Sequence, residues 1–128
     1  MAARSAEIRR RAERRGRRAE AIAAFYLRLK GYRVVARRYK TPVGEIDLVV
    51  RRGGTLAFVE VKARGDDEAA IEAVGPDGRR RIARAAETWL TRYPAASEMQ
   101  LRFDVVVVAR GLSLPRHLRH VFHAGGRL

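Results

Sequence analysis

Cysteine is absent from all 128 residues. Its absence excludes disulfides, thiolate zinc sites and cysteine nucleophiles. A metal would have to be held by oxygen or imidazole, a donor set that favours magnesium or manganese. Long apolar runs are also missing. None approaches the roughly 20 residues that a helix needs to cross a bilayer, so no membrane span is expected. Acidic residues are scarce, 14 Asp and Glu against 28 Lys and Arg, for a formal net charge of +14. Apolar residues are plentiful at 47%. That is enough for one hydrophobic core in a chain of single-domain size, and it excludes global disorder.

The charge is unevenly spread. Residues 1–40 carry 14 basic and 3 acidic side chains, and residues 41–128 carry 14 and 11. A basic segment of this kind attracts polyanions, most commonly nucleic acid, through phosphate contacts and counterion release. An anionic membrane surface competes as a target, and an arginine-rich genome would give the same surface without any partner. The N-terminus has the Arg and Ala of a transit peptide, but Glu7, Glu13 and Glu20 interrupt it. It also lacks the apolar core of a secretory signal, so a cytoplasmic location is expected.

Residues 4–30 contain no proline and form a helical candidate, with Ile22, Phe25, Tyr26 and Leu29 as its apolar stripe. The part up to Arg18 is mostly charge and alanine and is free to fray; Gly31 stops the helix. Strands are expected at 32–39, 45–51 and 55–62, with a turn at TPVG (41–44) and a tight loop at Gly53 and Gly54. Residues 65–78 read as a loop with one helical turn at Ala69–Val74. A second helix follows at Arg79–Tyr93, burying Ile82, Ala85, Ala86, Trp89 and Leu90, and then a buried central strand at 101–109. The tail is ambiguous between strand and helix. This order predicts an α/β or α+β layer fold, a mixed sheet flanked by helices.

The chemistry is concentrated in GEIDLVVRRGGTLAFVEVKAR (44–64). Strand alternation puts Glu45 and Asp47 on one face of the first strand, and Glu60 and Lys62 on one face of the second. With Gly53 and Gly54 as the turn, Asp47 falls opposite Glu60, and Glu45 opposite Lys62. Directly opposed Cβ atoms lie about 4.5–5.5 Å apart. Two carboxylates at that separation repel unless a divalent cation lies between them, and carboxylate oxygens are such a cation's preferred ligands. Lys62 would then orient a water or stabilise charge on a phosphate oxygen, a set suited to metal-assisted phosphodiester hydrolysis. A salt-bridged structural hairpin accounts for the same spacing. Glu20 sits in an apolar helical setting of Ala23, Ala24 and Leu27; it either reaches the same site or pairs with a nearby arginine.

GRRAEAIAAFYL (16–27), KGYRVVARRY (30–39), GEIDLVV (44–50), FVEVKAR (58–64) and RFDVVVV (102–108) together resemble the YraN-like family of small, functionally uncharacterised bacterial proteins. The resemblance runs from about Gly16 to the C-terminus. It implies a restriction-endonuclease-like core shared with Holliday junction resolvases, the PD-(D/E)xK superfamily. On that pattern residues 1–15 are a basic arm and 16–128 a single endonuclease-like domain. Asp47 resembles the metal-binding aspartate, Glu60 and Lys62 resemble the (D/E)xK pair, and Glu20 the acidic residue of the first helix. The implied activity is magnesium- or manganese-dependent cleavage of DNA, branched or otherwise structured, by a homodimer that cuts two strands. The alternative is a nucleic-acid-binding protein that kept the fold without catalysis. The motif's proline is replaced by Ile46, and Gly78 stands where similar proteins often carry lysine. Arg79, Arg80 or Arg81 would have to supply that charge.

Secondary candidates are Glu45 beside the acidic pair and Asp104 within an apolar strand, either anchoring Arg102 or a backbone group or supporting the site from behind. Arg17, Arg18, Arg64, Arg79, Arg80 and Arg81 are candidate phosphate contacts. His117, His120 and His123, with no obvious carboxylate partner, are a weak metal signal, and Trp89 and Tyr93 are packing residues.

Overall fold

The computed structural model describes residues 2–63, 75–109 and 114–122. The expected loop at 65–74, its helical turn, Arg64 and His123 lie outside them. Helix α1 spans Ala2–Leu29, strand β1 Arg33–Thr41, β2 Gly44–Arg52 and β3 Thr55–Lys62. Helix α2 spans Pro76–Arg92, a 3₁₀ turn Pro94–Glu98, β4 Gln100–Val107 and β5 Arg116–Phe122. The strands form one mixed sheet in the order β1-β2-β3-β4-β5. Only β3 and β4 are parallel, a pairing that needs a crossover, and α2 lies within that connection. The expected α+β architecture, a mixed sheet flanked by helices, is the one observed; the ambiguous tail resolves as β5.

Among the described residues each sheet face carries one helix. Leu48, Val50, Ala57, Val59, Val106 and Val108 pack against α1, whereas Val49, Leu56, Phe58, Phe103, Val105 and Val107 pack against α2. Phe58 and Phe103 stack at 5.4 Å between centroids. On α2 the expected face, Ile82, Ala85, Ala86 and Trp89, is the buried one. The helix starts three residues earlier than expected because Pro76, poorly suited to a helix interior, is well suited to its first turn.

On α1 the expected stripe is wrong. Ile22, Phe25 and Leu29 are 40%, 62% and 71% exposed. The buried face is Ala19, Ala23, Ala24 and Leu27. Small side chains let the helix approach the sheet closely, and a search weighted toward large apolar residues points to the wrong side. The helix also runs without a break from Ala2 through the basic arm. Glu7 ion-pairs with Arg10, Arg11 and Arg14 there, contacts that support an isolated helix. Among the described side chains its first buried residue is Ala19. The helix ends at Gly31, whose φ of +93° is accessible to glycine at little cost, while Tyr32 N–H closes the last turn onto the Leu27 carbonyl at 3.0 Å.

Gly44 brings α2 against the start of β2. A Cβ there would run into the Arg81 carbonyl oxygen and lie 2.8 Å from its carbon, both backbone atoms that cannot rotate away. Gly44→Ala is therefore expected to push α2 off the sheet and destabilise the chain by about 1–3 kcal/mol, read as a lower urea midpoint. A midpoint equal to the parent's would show that α2 adjusts freely.

Candidate active site

The β2–β3 hairpin has the register that its two-residue glycine turn predicts, from Arg52 opposite Thr55 to Leu48 opposite Val59. One step further, where Asp47 would face Glu60, backbone pairing ends. The Asp47 carboxylate takes over there, its Oδ2 accepting the Val61 N–H at 2.8 Å.

Strict alternation also breaks at Asp47. Leu48 lies in the α1-side core, yet Ile46 lies in the α2-side core. On β1, Arg37 pairs with Leu48 and Tyr39 with Ile46, so Arg38 falls across from Asp47. Arg38 has φ of +50°, a left-handed conformation costing a non-glycine residue roughly 1–2 kcal/mol. Both strands turn over at this one rung. Asp47 meets β3 at the Val61 N–H, and the expectation of four charges on one regular face is corrected.

Burial raises the proton affinity of the Asp47 carboxyl, and the charges of Glu20 and Glu45 add to this; the Val61 N–H and Lys62 oppose it. Glu60 is pushed up to about 7, first by burial and then by the Asp47 charge, with Lys62 opposing. The Asp47 charge thus acts directly on the Glu60 carboxyl, and burial raises both groups above their ordinary values. Lys62 Nζ stands 3.3 Å from Glu60 Oε1. Lys62 was expected opposite Glu45, but β2 and β3 no longer pair at that level. Glu45 is exposed and pairs across to Lys40, acting on Asp47 only through its charge.

Glu20 comes from α1, its side chain 12% exposed, and accepts from Arg38 Nε at 2.8 Å. Both expectations for it hold in part: it pairs with an arginine, and it is near enough for its charge to act on Asp47. Among the described residues no group of three or more carboxylates and histidines could hold a metal ion. The donors for a cation are thus two, Asp47 and Glu60.

The profile of the uncharacterised protein family UPF0102 matches residues 19–108, the stretch that supplies every element of this site. The chain belongs to family UPF0102. A UPF0102 protein of Parvibaculum lavamentivorans is 61% identical over 107 residues, 84% of this chain and 80% of that one. Another, of Chelativorans sp. (strain BNC1), is 48% identical and covers 97% of this chain and 99% of its own. The UPF0102 protein RPA0323 of Rhodopseudomonas palustris is 51% identical over 87% of this chain.

Of the remaining candidates in this UPF0102 chain, Arg17 and Arg18 are exposed on α1. Arg79, Arg80 and Arg81 are in the first turns of α2, where Arg80 pairs with Asp77. Asp104 stands apart from the acidic pair. Fully enclosed, it binds Arg102 through both oxygens, His117 Nε2 at 2.6 Å and the His120 N–H at 3.0 Å. His117 therefore does have a carboxylate partner, brought from β4 by strand pairing that sequence separation conceals. Arg38 went unrecognised as a site residue. Counting back from the TPVG turn, where Thr41 pairs with Gly44, would have set it across from Asp47. No helix among the described residues is long and apolar enough to cross a membrane.

Proposed function

We propose that the protein is a metal-dependent endonuclease-like enzyme that hydrolyses phosphodiester bonds in DNA, branched or otherwise structured. The observation that carries this is the half-buried Asp47–Glu60 pair beside Lys62, both carboxyls raised in proton affinity and Lys62 Nζ 3.3 Å from Glu60. Two neighbouring, half-buried carboxyls that ionise only at a cost form a place where a divalent cation would relieve that cost. Magnesium is often held by one or two carboxylates together with water and substrate phosphate, so the donor set fits magnesium or manganese. Bound there, the ion would supply Lewis-acid polarisation of the phosphoryl group and a more acidic water.

The chain's own residues have separate tasks in this scheme. Asp47 and Glu60 would hold the cation. Asp47 is itself fixed by the Val61 N–H. Lys62, ion-paired to Glu60, would orient a water or stabilise charge on a phosphate oxygen. Arg38 keeps Glu20 in place at the border of the pair. The basic face of α1, with Arg17 and Arg18, and the start of α2, with Arg79 to Arg81, would meet the phosphate backbone.

Purified protein with branched and linear DNA and either ion should show cleavage. Lys62→Met should lower the rate by about 10²–10³, the range for losing one charge-stabilising donor. Absence of cleavage, or equal cleavage by Lys62→Met and Asp47→Asn, overturns the catalytic assignment. The second reading, binding without cleavage, is favoured by one observation, that Glu20 is already neutralised by Arg38. It predicts salt-sensitive DNA binding that is indifferent to divalent ions.

A further inference from the structure

A second polar assembly lies on the α1 face at the opposite end of that helix's buried stretch. At its base Asp104 is saturated by Arg102, His117 and the His120 N–H. The Arg102 guanidinium also donates to Tyr32 Oη at 2.6 Å. Lys30 Nζ is 2.7 Å from His117 Nδ1. An ammonium only donates, so Nδ1 accepts, and Nε2–H is left to donate to Asp104. Arg52 donates to the Lys30 carbonyl at 3.2 Å and lies 4.4 Å over the Tyr32 ring. Arg119, exposed on β5, acts on Lys30 through its charge.

Lys30, Arg52, Arg102 and Arg119 thus converge, with the Asp104 charge opposing theirs at Lys30. The bidentate Asp104–Arg102 pair consumes that carboxylate. The outer cations, Lys30, Arg52 and Arg119, are held close together with no ion pair of their own among the described residues. Lys30 and Arg52 are also fixed by neutral partners, an imidazole, a carbonyl and a phenol ring, that leave their charge unspent. Mutual repulsion of this kind is relieved when an anion arrives.

We infer that Lys30, Arg52 and Arg119 form a binding site for a phosphate group of a nucleic-acid backbone, with Arg102, His117, Tyr32 and Asp104 as the scaffold that positions them. The anchoring favours a phosphate at a fixed position over a fluid lipid headgroup, which would suit unconstrained lysines. Lys30, the residue after α1, lies ten positions from Glu20, about 15 Å at 1.5 Å per residue. That is four to five base-pair steps of a duplex at roughly 3.4 Å each, so one strand could engage this site and the acidic pair together. The inference rests on the nucleic-acid part of the proposed function but not on cleavage.

The test is binding of a labelled DNA duplex to the full chain in EDTA, followed from low to high salt. Lys30→Gln and Arg119→Gln should each reduce the slope of log K against log salt by about 1. Each should weaken binding about tenfold near 0.1 M salt, equally for unrelated sequences. Arg119 is exposed, so its variant reports even if Lys30→Gln perturbs the fold, and thermal melts verify both. DNA binding with an unchanged slope in the double variant overturns the inference alone. No DNA binding by the parent chain overturns it together with the nucleic-acid reading, whereas cleavage failure leaves it standing. Affinity for phosphatidylglycerol vesicles that falls in these variants, while DNA affinity does not, would also overturn it.

Discussion

Glu60→Gln is expected to abolish divalent-dependent cleavage while making the metal-free chain more stable. The loss of activity should be at least about 100-fold, since even groups that only support a metal ligand commonly cost 10- to 100-fold. The gain in stability follows from linkage. Glu60 titrates at about 7 in the folded chain against 4.5 for an unhindered carboxyl. A carboxyl with a raised folded value favours the folded state while protonated. Its contribution is full below the unfolded value and is lost as pH rises through the folded one. At pH 8 the folded chain thus bears a penalty on the order of 3 kcal/mol, which an amide does not incur. In EDTA at pH 8 the variant should melt roughly 10 °C above the parent, with the difference gone near pH 4. A variant that melts lower at pH 8 would mean that Glu60 is a structural ion-pair partner of Lys62 rather than a carboxylate held against its preference.

Asp104→Ala should have the opposite effect and spare the acidic pair. Asp104 is fully enclosed and the Arg102 side chain is 12% exposed, so removing the carboxylate leaves a largely buried guanidinium unpaired. Breaking a buried pair in this way costs about 3–5 kcal/mol, or roughly 10–20 °C in a domain of this size. The His120 N–H would also lose its acceptor. His120 has φ of +59°, and the β4–β5 register shifts between Phe103 and Val105, so Asp104 fills a gap that the backbone ladder leaves open. Burial alone would raise the Asp104 carboxyl, but hydrogen bonds from His117, Arg102 and the His120 N–H outweigh it and hold the group below its ordinary range. This contribution is therefore present above the unfolded value and lost as pH falls through the folded one, the reverse of Glu60. Urea unfolding of parent and variant at pH 7 measures it. A difference below about 1 kcal/mol would mean that Arg102 and His117 find other partners.

The strands and the hairpin register were legible because glycine turns and period-two alternation are local properties. Asp47, Glu60 and Lys62 were legible for the same reason, as charges in strands that should hold none. Three features were not. The buried face of α1 is alanine, which periodicity weighted by size overlooks. The change of face at Arg38 and Asp47 needs two strands to depart from regularity together, and neither strand's sequence marks it. The Lys30–His117–Asp104 line joins residues 13 and 87 positions apart, and only the pairing of β4 with β5 and the end of α1 against the sheet bring them together.

Helix α1 has a mechanical consequence as well. Its first buried residue among those described is Ala19, so residues 2–18 extend about 25 Å at 1.5 Å per residue with no described side chain committed to the core. A stiff spoke differs from a tail in what it costs to use. A tail would give up about 1–2 kcal/mol of backbone freedom for each residue that it ordered on a partner, whereas a helix already formed gives up little. The spoke therefore works as an outrigger, carrying arginines to a surface well beyond the globular body and fixing the angle at which that surface is met.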